Sequence, residues 1–325
     1  MAEIIAHDIA LTRAAELIAA GGVVAIPTET VYGLAADATN GEAVARIFEA
    51  KHRPRFNPLI AHVSNIDMAR EFARFSPLAL TLAEAFWPGP LTLVLPLADD
   101  SAVHPLVTAG LDTVAIRVPR SSFTRALISA VGRPLAAPSA NRSGRISATT
   151  AADVEAELGD RIRLIVDGGP APVGIESTIV KVGGDGLVLL RPGGVASGAI
   201  EEIAGLALDA AAPGGVEAPG MLASHYAPEA TMRLAAAQVN PGEALLAFGP
   251  SRAAGAHHAA VIRNLSVDGD LRQAAASLFS ALRELDAAGA DTIAVEPIPE
   301  HGLGEAINDR LRRAAAPRDS ADARV

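Results

Sequence analysis

Short apolar runs that end on proline, glycine or a polar side chain recur through the first two hundred positions of this 325-residue chain. GGVVAI (21–26) reads as a buried strand halted by Pro27, and Leu59 to Val63 as another that carries His62. WPGPLTLVLPL (87–97) sets a rigid Pro-Gly-Pro corner before its strand, and TVAIRVP (113–119) places Arg117 inside an apolar alternation. LIVDGG (164–169), GIESTIV (174–180) and LVLLRPGG (187–194) follow the same plan. Between these runs the apolar period lengthens to that of a helix. It does so over Thr12 to Ala20, closed by Gly21 and Gly22, and over Gly41 to Ala50, with Val44, Ile47 and Phe48 on one face. Met68 to Phe86 (in two pieces around Pro77), Phe123 to Val131 and Ala151 to Leu158 share that spacing. Strands interleaved with helices predict an α/β fold. Strand tips that break into polar residues predict one site assembled from several of them.

The character changes after Val195. Alanine and glycine dominate to about Gly220, with Pro213 and Pro219, which predicts a short helix and then a linker. MLASHYAPEA (221–230) interrupts this stretch with His225 and Tyr226, either a docking anchor or packing between domains. Strands are expected again at Glu243 to Phe248, Ala259 to Leu265 and Asp291 to Ile298. They alternate with an amphipathic helix over Gly269 to Ala288, its stripe made by Leu271, Ala275, Leu278, Leu282 and Leu285, and a closing helix over Gly304 to Ala315. This alternation predicts a small parallel sheet, without a GxGxxG or GxxxxGK[ST] loop. Ala316 to Val325 reads as a loose tail.

Half of the residues are hydrophobic and 20% are charged, enough for a large core, and two domains are expected at this length. Aromatic residues make up only 3%, so the core must come from small aliphatic side chains. The absence of cysteine excludes disulfides, thiolate catalysis and cysteine-held metals. MAEIIAHDIALTR at the N-terminus is unlike a signal peptide, and no apolar run approaches a membrane span, so a soluble cytoplasmic protein is expected. A formal net charge of −10 argues against tight nonspecific nucleic-acid binding while leaving room for a local basic pocket.

Candidate chemistry concentrates in a few segments. PTETVYGLAAD (27–37) flanks Glu29 with threonines, and Gly33 is expected to supply a backbone angle that other residues avoid. Taken alone this is a ligand-bearing strand tip or a decorated surface turn. KHRPRFNPLI (51–60) groups Lys51, His52, Arg53 and Arg55 on a backbone stiffened by Pro54 and Pro58. Its cations suit phosphate oxygens, or they answer the dipole of the preceding helix. Arg117 needs a partner in an apolar strand, a salt bridge or a ligand carboxylate, with the ligand favoured. His62 alone reads as structural. PLAAPSANRSGRIS (134–147) is a small-residue loop where backbone could approach a ligand, with Arg142 and Arg145 adding charge. His257 and His258 read as exposed loop.

The strings PTETVYGL, KHRPRFNPL, WPGPLT, DTVAIRVP, APSAN, GIESTIV and LLRPG resemble, in this order, the YrdC-type family. With the later PGM…HYAP the chain is similar to its two-domain members, the L-threonylcarbamoyladenylate synthases, over roughly residues 10 to 230. The resemblance implies a twisted mixed-sheet YrdC-like catalytic domain over 1–200, an interdomain linker over 201–228 and a smaller Rossmann-like parallel α/β domain over 229–325. It implies synthesis of threonylcarbamoyl-AMP and pyrophosphate from L-threonine, bicarbonate or CO₂, and ATP, the product passing to a tRNA threonylcarbamoyl-transferase. Thr30, His62, Arg117, Ala137 and Ser177 are implied as threonine contacts. Arg53, Asn57, Thr113, Ser139, Ser147, Arg191 and Tyr226 are implied as ATP contacts, with Lys51 and Arg53 as the catalytic cations. The family's linker usually has basic residues before HYAP, where this chain has Leu222, Ala223 and Ser224.

Such a reaction joins two anions, so positioning and charge neutralisation matter more than a covalent nucleophile. Lys51, Arg53 and Arg191 would offset phosphate charge, and Arg117 would fork onto the amino-acid carboxylate. Mg²⁺ is expected to arrive with ATP, since no carboxylate cluster announces a protein-held metal. Two alternatives stand beside this. A hydrogenase-maturation type of carbamoyltransferase would carry acylphosphatase and zinc-finger-like regions that the chain lacks. A noncatalytic RNA-binding module is disfavoured by the acidic balance and scarce aromatics.

Overall fold

The computed structural model describes residues 1–184, 186–212, 215–221 and 224–317. Leu222, Ala223 and the tail from 318 lie outside them, whereas Ser224 is described. Among the described residues the strands form two sheets, one of eleven strands and one of four. From edge to edge the larger runs Glu3–Ala6, Leu164–Asp167, Val24–Ile26, Gly33–Asp37, Leu135–Ala136, Ile60–His62, Thr113–Arg117, Leu91–Pro96, Thr178–Gly183, Gly186–Arg191 and Leu208–Ala210. Parallel and antiparallel pairs both occur along it, so it is a mixed sheet.

Gly33–Asp37 returns antiparallel to Val24–Ile26, with Val24 opposite Ala35 and Ile26 opposite Gly33. The loop 27–32 is therefore the connection of a hairpin. The return strand was not legible because GLAAD has no β-branched residue and is buried at every position, leaving no alternation to detect. Gly33 also differs from expectation. It is not among the residues with positive φ; its requirement is space, since a Cβ there would lie 3.3 Å from that of Ala137.

Register explains how distant segments meet. His62 is the parallel partner of Arg117. Leu91 pairs with Thr178, and Ile179 with Arg191, so Ser177 and Arg191 reach the same edge of the layer. Helix Gly41–Lys51 is capped by Asn40, which accepts from the Glu42 and Ala43 amides, and ends at His52 in the left-handed region. The core beneath is aliphatic, with Leu34, Val44, Ile47, Leu59, Leu93, Ile116 and Val180 in one cluster.

In the second sheet Thr231–Arg233, Thr292–Val295, Ala244–Ala247 and Val261–Asn264 are all parallel. Helix Leu271–Ala287 buries Leu278, Phe279, Leu282 and Leu285, and helix Leu303–Ala315 packs beside it. Val31, Ile146 and Ile175 of the first unit join this core. Arg283 ties the two together through Glu157 at 3.1 Å and Asp153 at 3.7 Å. The stretch read as helix and linker contains helix Ser197–Ala204 and then Leu208–Ala210, which adds parallel to Leu187–Leu189. Three residues of Leu-Asp-Ala are too short and too ordinary to announce a strand. No helix among the described residues is long and apolar enough to cross a membrane.

Candidate active site

Loop 27–32, the strand ends at His62, Arg117 and Arg191, the loop 137–139 and the residues Pro219, Gly220, His225 and Tyr226 enclose one cavity. Of the residues singled out from sequence it gathers Thr30, Arg53, His62, Arg117, Ala137, Ser139, Ser177, Arg191 and Tyr226. Its volume, about 50 Å³, holds one or two waters at about 30 Å³ each. A larger hollow of about 770 Å³ lies elsewhere, lined by Arg46, His52 and Arg161 among others. It gathers none of the hydroxyl and strand-end arginine set, so we place the site at the smaller, deeper cavity.

Charge is distributed unevenly around that cavity. Arg117 meets Glu29 at 2.6 Å and donates also to Thr30 Oγ1 at 3.0 Å and the Gly89 carbonyl at 3.1 Å. Of the two readings offered for Arg117 the structural ion pair is present, and the residue also lines the cavity. Burial alone would raise the Glu29 carboxyl; Arg117 more than offsets it and holds the group below the usual range. Glu176 is treated the same way by Arg310, whose Nε donates to it at 2.9 Å, with Arg191 adding to the effect.

Arg53 and Arg191 are different. Arg53 donates only to backbone, the Asn57 and Pro58 carbonyls at 3.4 and 3.0 Å. Arg191 donates to the Ser177 carbonyl at 2.9 Å, to Ser177 Oγ at 3.3 Å and to the Pro219 carbonyl at 3.3 Å. Neither is in an ion pair among the described residues, and both are buried. Burial lowers both guanidinium pKa values, that of Arg53 to about 10, which leaves Arg53 charged at neutral pH. Two buried, uncommitted cations in one hollow are the signature of an anion's place.

Lys51, Asn57, Ser147 and Thr113 do not line the cavity. Lys51 is buried at the end of its helix and donates to the Ser139 carbonyl at 2.6 Å and to that of Asn141. Burial, and then Arg53, pull its amine well below its ordinary pKa. Asn57 is fully buried, and neither its amide oxygen nor its nitrogen has a hydrogen-bond partner. Ser147 donates to Glu176. Thr113 opens the strand that Arg117 ends, about 13 Å away by strand rise. His62 is buried, and desolvation followed by Arg117 takes its imidazole down to about 3, so it is neutral.

Two further residues bear on the site. His225, read with Tyr226 as a docking anchor or interdomain packing, lines the cavity, its ring tilted against that of Tyr226 with centroids 4.0 Å apart. Arg310 approaches from the second unit; the available signal was a cation three residues past Ile307 and four before Ala314, on the apolar stripe of its helix. Among the described residues no group of three or more His, Asp or Glu is clustered to hold a metal. Glu29 and Glu176 are each taken by an arginine, so these side chains do not fit a protein-held cation.

The Sua5/YciO/YrdC family model, described as telomere recombination, matches residues 16–193. The chain belongs to this family. A second model, described as threonylcarbamoyl-AMP synthase, C-terminal domain, matches residues 195–316. A threonylcarbamoyl-AMP synthase of Bacillus subtilis is 42% identical over 97% of this chain and 96% of its own length. One from Pyrococcus abyssi is 41% identical over 93% of each. The crystal structure of P. abyssi Sua5 complexed with L-threonine superposes with a TM-score of 0.86 at 37% identity, covering 96% of this chain and 97% of that one.

Proposed function

We propose that this chain is a threonylcarbamoyl-AMP synthase, a nucleotidyl-transferring enzyme that joins L-threonine, bicarbonate or CO₂, and ATP for tRNA modification. The observation that carries the proposal is the cavity's division of charge. Arg53 and Arg191 line it without carboxylate partners among the described residues, whereas Arg117, lining it too, is paired with Glu29 and donates to Thr30. The amino-acid carboxylate takes the guanidinium hydrogens that Arg117 has left, and the threonine hydroxyl meets Thr30, Ser177 and neutral His62. Ala137 lies against the same ligand. Threonine's neutral amine attacks the carbon of CO₂ and gives up a proton, leaving a carbamate; from bicarbonate the same step expels hydroxide, which takes that proton and leaves as water. A carbamate oxygen then attacks the α-phosphorus, and the bond to the bridging oxygen breaks to release pyrophosphate. Arg53, Arg191, Ser139 and Tyr226 hold the phosphates in line, and their pre-set dipoles favour the charge that builds on the leaving group.

Lys51 works through the loop it holds, fixing Ser139 and adding positive field from behind. Ser147 orients Glu176, and the unpartnered Asn57 amide serves ATP by completing the Arg53 end. Thr113 reaches only a part of ATP that extends beyond the cavity. Mg²⁺ enters as ATP's counter-ion, part of the substrate. The product goes to a tRNA-modifying transferase, and the enzyme works in the cytoplasm as residues 1–200 and 229–325 joined by 201–228. Because the cavity is too small for ATP, the wall formed by Pro219, Gly220, His225 and Tyr226 moves aside to admit it. Equal protease cleavage within 195–228 with and without ATP plus threonine would count against that motion. The reaction is tested by omission. Pyrophosphate and an AMP-linked product should form only with threonine, bicarbonate and ATP together, and ATP turnover indifferent to threonine rejects the assignment.

A further inference from the structure

Arg310 belongs to helix Leu303–Ala315 of the second unit, yet it is fully buried against the first. Its Nε donates to Glu176 Oε2 at 2.9 Å, and its Nη1 to the Pro192 carbonyl and to Asp309 at 2.8 Å each. Its guanidinium carbon lies 5.3 Å from the centroid of the Tyr226 ring. Phe279, also of the second unit, stacks on that ring at 5.5 Å. Tyr226 itself holds φ of 63°, a left-handed conformation that a tyrosine keeps only when its surroundings fix it. Glu176 and Tyr226 both line the cavity, so one side chain from the second unit braces two walls of a site built by the first.

The charge balance gives this brace a purpose. Glu176 and Arg191 line the same cavity, and the Arg191 charge helps Arg310 hold the Glu176 carboxyl below its usual range. Were Arg310 absent, Arg191 would be left to compensate that carboxylate, and Arg191 would no longer be free for an incoming anion. We infer that Arg310 is a positioning residue: by holding the Glu176 carboxylate and the Tyr226 ring, it keeps Arg191 open to the phosphates of ATP. This rests on the assignment above, and it gives the second unit a task in substrate binding.

The experiment uses the full chain as wild type, Arg310→Met, Arg310→Lys and the Arg310→Met/Glu176→Gln pair. It reads kcat, the KM values for ATP and threonine, the calorimetric Kd for ATP, and thermal unfolding. We expect Arg310→Met to raise the Kd and KM for ATP by about tenfold or more, with a smaller effect on the KM for threonine. Removing the carboxylate charge in the double variant should recover most of that loss, although Arg310 is still missing, and Arg310→Lys should fall between. If Arg310→Met does not fold, the double variant, which strands no carboxylate at position 176, and the lysine variant decide the matter. An ATP affinity within threefold of wild type in Arg310→Met overturns the inference. So does a folded double variant with no recovery, or, if Arg310→Met cannot be measured, a double variant and a lysine variant both more than about tenfold weaker for ATP. A wild type that makes no pyrophosphate from the three substrates defeats the functional assignment instead, and a wild type that is active keeps the two failures apart.

Discussion

Replacing Arg191 and Arg117 by methionine, in separate proteins, should give two different failures. Arg191 has no carboxylate partner among the described residues, so Arg191→Met strands no buried acid. It leaves the Ser177 and Pro219 oxygens without a donor, at a cost of about 1–3 kcal/mol. Relief from burying an unpaired cation offsets part of this, for a net loss of about 0–2 kcal/mol. Its effect on ATP is larger. A guanidinium about 4 Å from a phosphate charge contributes about 4 kcal/mol at an effective dielectric of 20. Allowing for solvent that fills the gap, about 3 kcal/mol should be lost from transition-state binding, roughly a 150-fold fall in kcat/KM for ATP. Arg117→Met removes the partner of Glu29, which meets it at 2.6 Å in a buried pair. An uncompensated buried carboxylate costs about 3–5 kcal/mol, so this variant should lose stability as well as activity. Adding Glu29→Gln should return most of the stability and little of the activity. The assays are pyrophosphate release with ATP varied and urea unfolding of the same preparations. A kcat/KM for Arg191→Met within threefold of wild type, or a destabilisation equal to that of Arg117→Met, would refute the distinction between paired and uncommitted arginines.

Acid should loosen the fold before carboxylates titrate. His62 and His225 are each drawn to about 3 by burial, from an ordinary value of 6.5. The unfolded chain therefore takes up protons below pH 6.5 that the native chain refuses, and stability falls as pH drops from there toward 3. At pH 5 this amounts to about 2 kcal/mol for each histidine, and a denaturation midpoint no lower at pH 5 than at pH 7.5 contradicts it. L-2-aminobutyrate, which lacks threonine's hydroxyl, should react at least about 100-fold less efficiently, because Thr30 and Ser177 would be left without their ligand partner. Equal kcat/KM for the two amino acids removes those side chains from specificity. Lys51→Met should lower kcat/KM by about tenfold or more through the freed Ser139–Asn141 loop; unchanged kinetics would return Lys51 to its helix-end role.

The strand ends were legible because each pairs a β-branched run with a breaking residue, as at Ile26–Pro27 and Arg191–Pro192. That pattern pointed to Arg117 and Arg191, the family resemblance implied Thr30 and Ser177, and all four line one cavity. What escaped depended on neighbours remote in sequence. Gly33–Asp37 carries no strand signature, because small side chains fit between buried layers without any alternation. The partners of Arg117 and Glu176 are Glu29 and Arg310, 88 and 134 positions away, and no local pattern reports such pairings. Lys51 illustrates the limit differently: its charge and place at a helix end were plain, but the direction of its amine was fixed by the fold of residues 139–141.

The most direct measurement is a structure of the full chain soaked with ATP, Mg²⁺ and L-threonine without bicarbonate. We expect phosphate oxygens within hydrogen-bond distance of Arg53 and Arg191, the threonine carboxylate on Arg117, and its hydroxyl beside Thr30 or Ser177. Nucleotide in the larger hollow beside Arg46 and Arg161, with the Arg117 cavity empty, would contradict the placement of the active site.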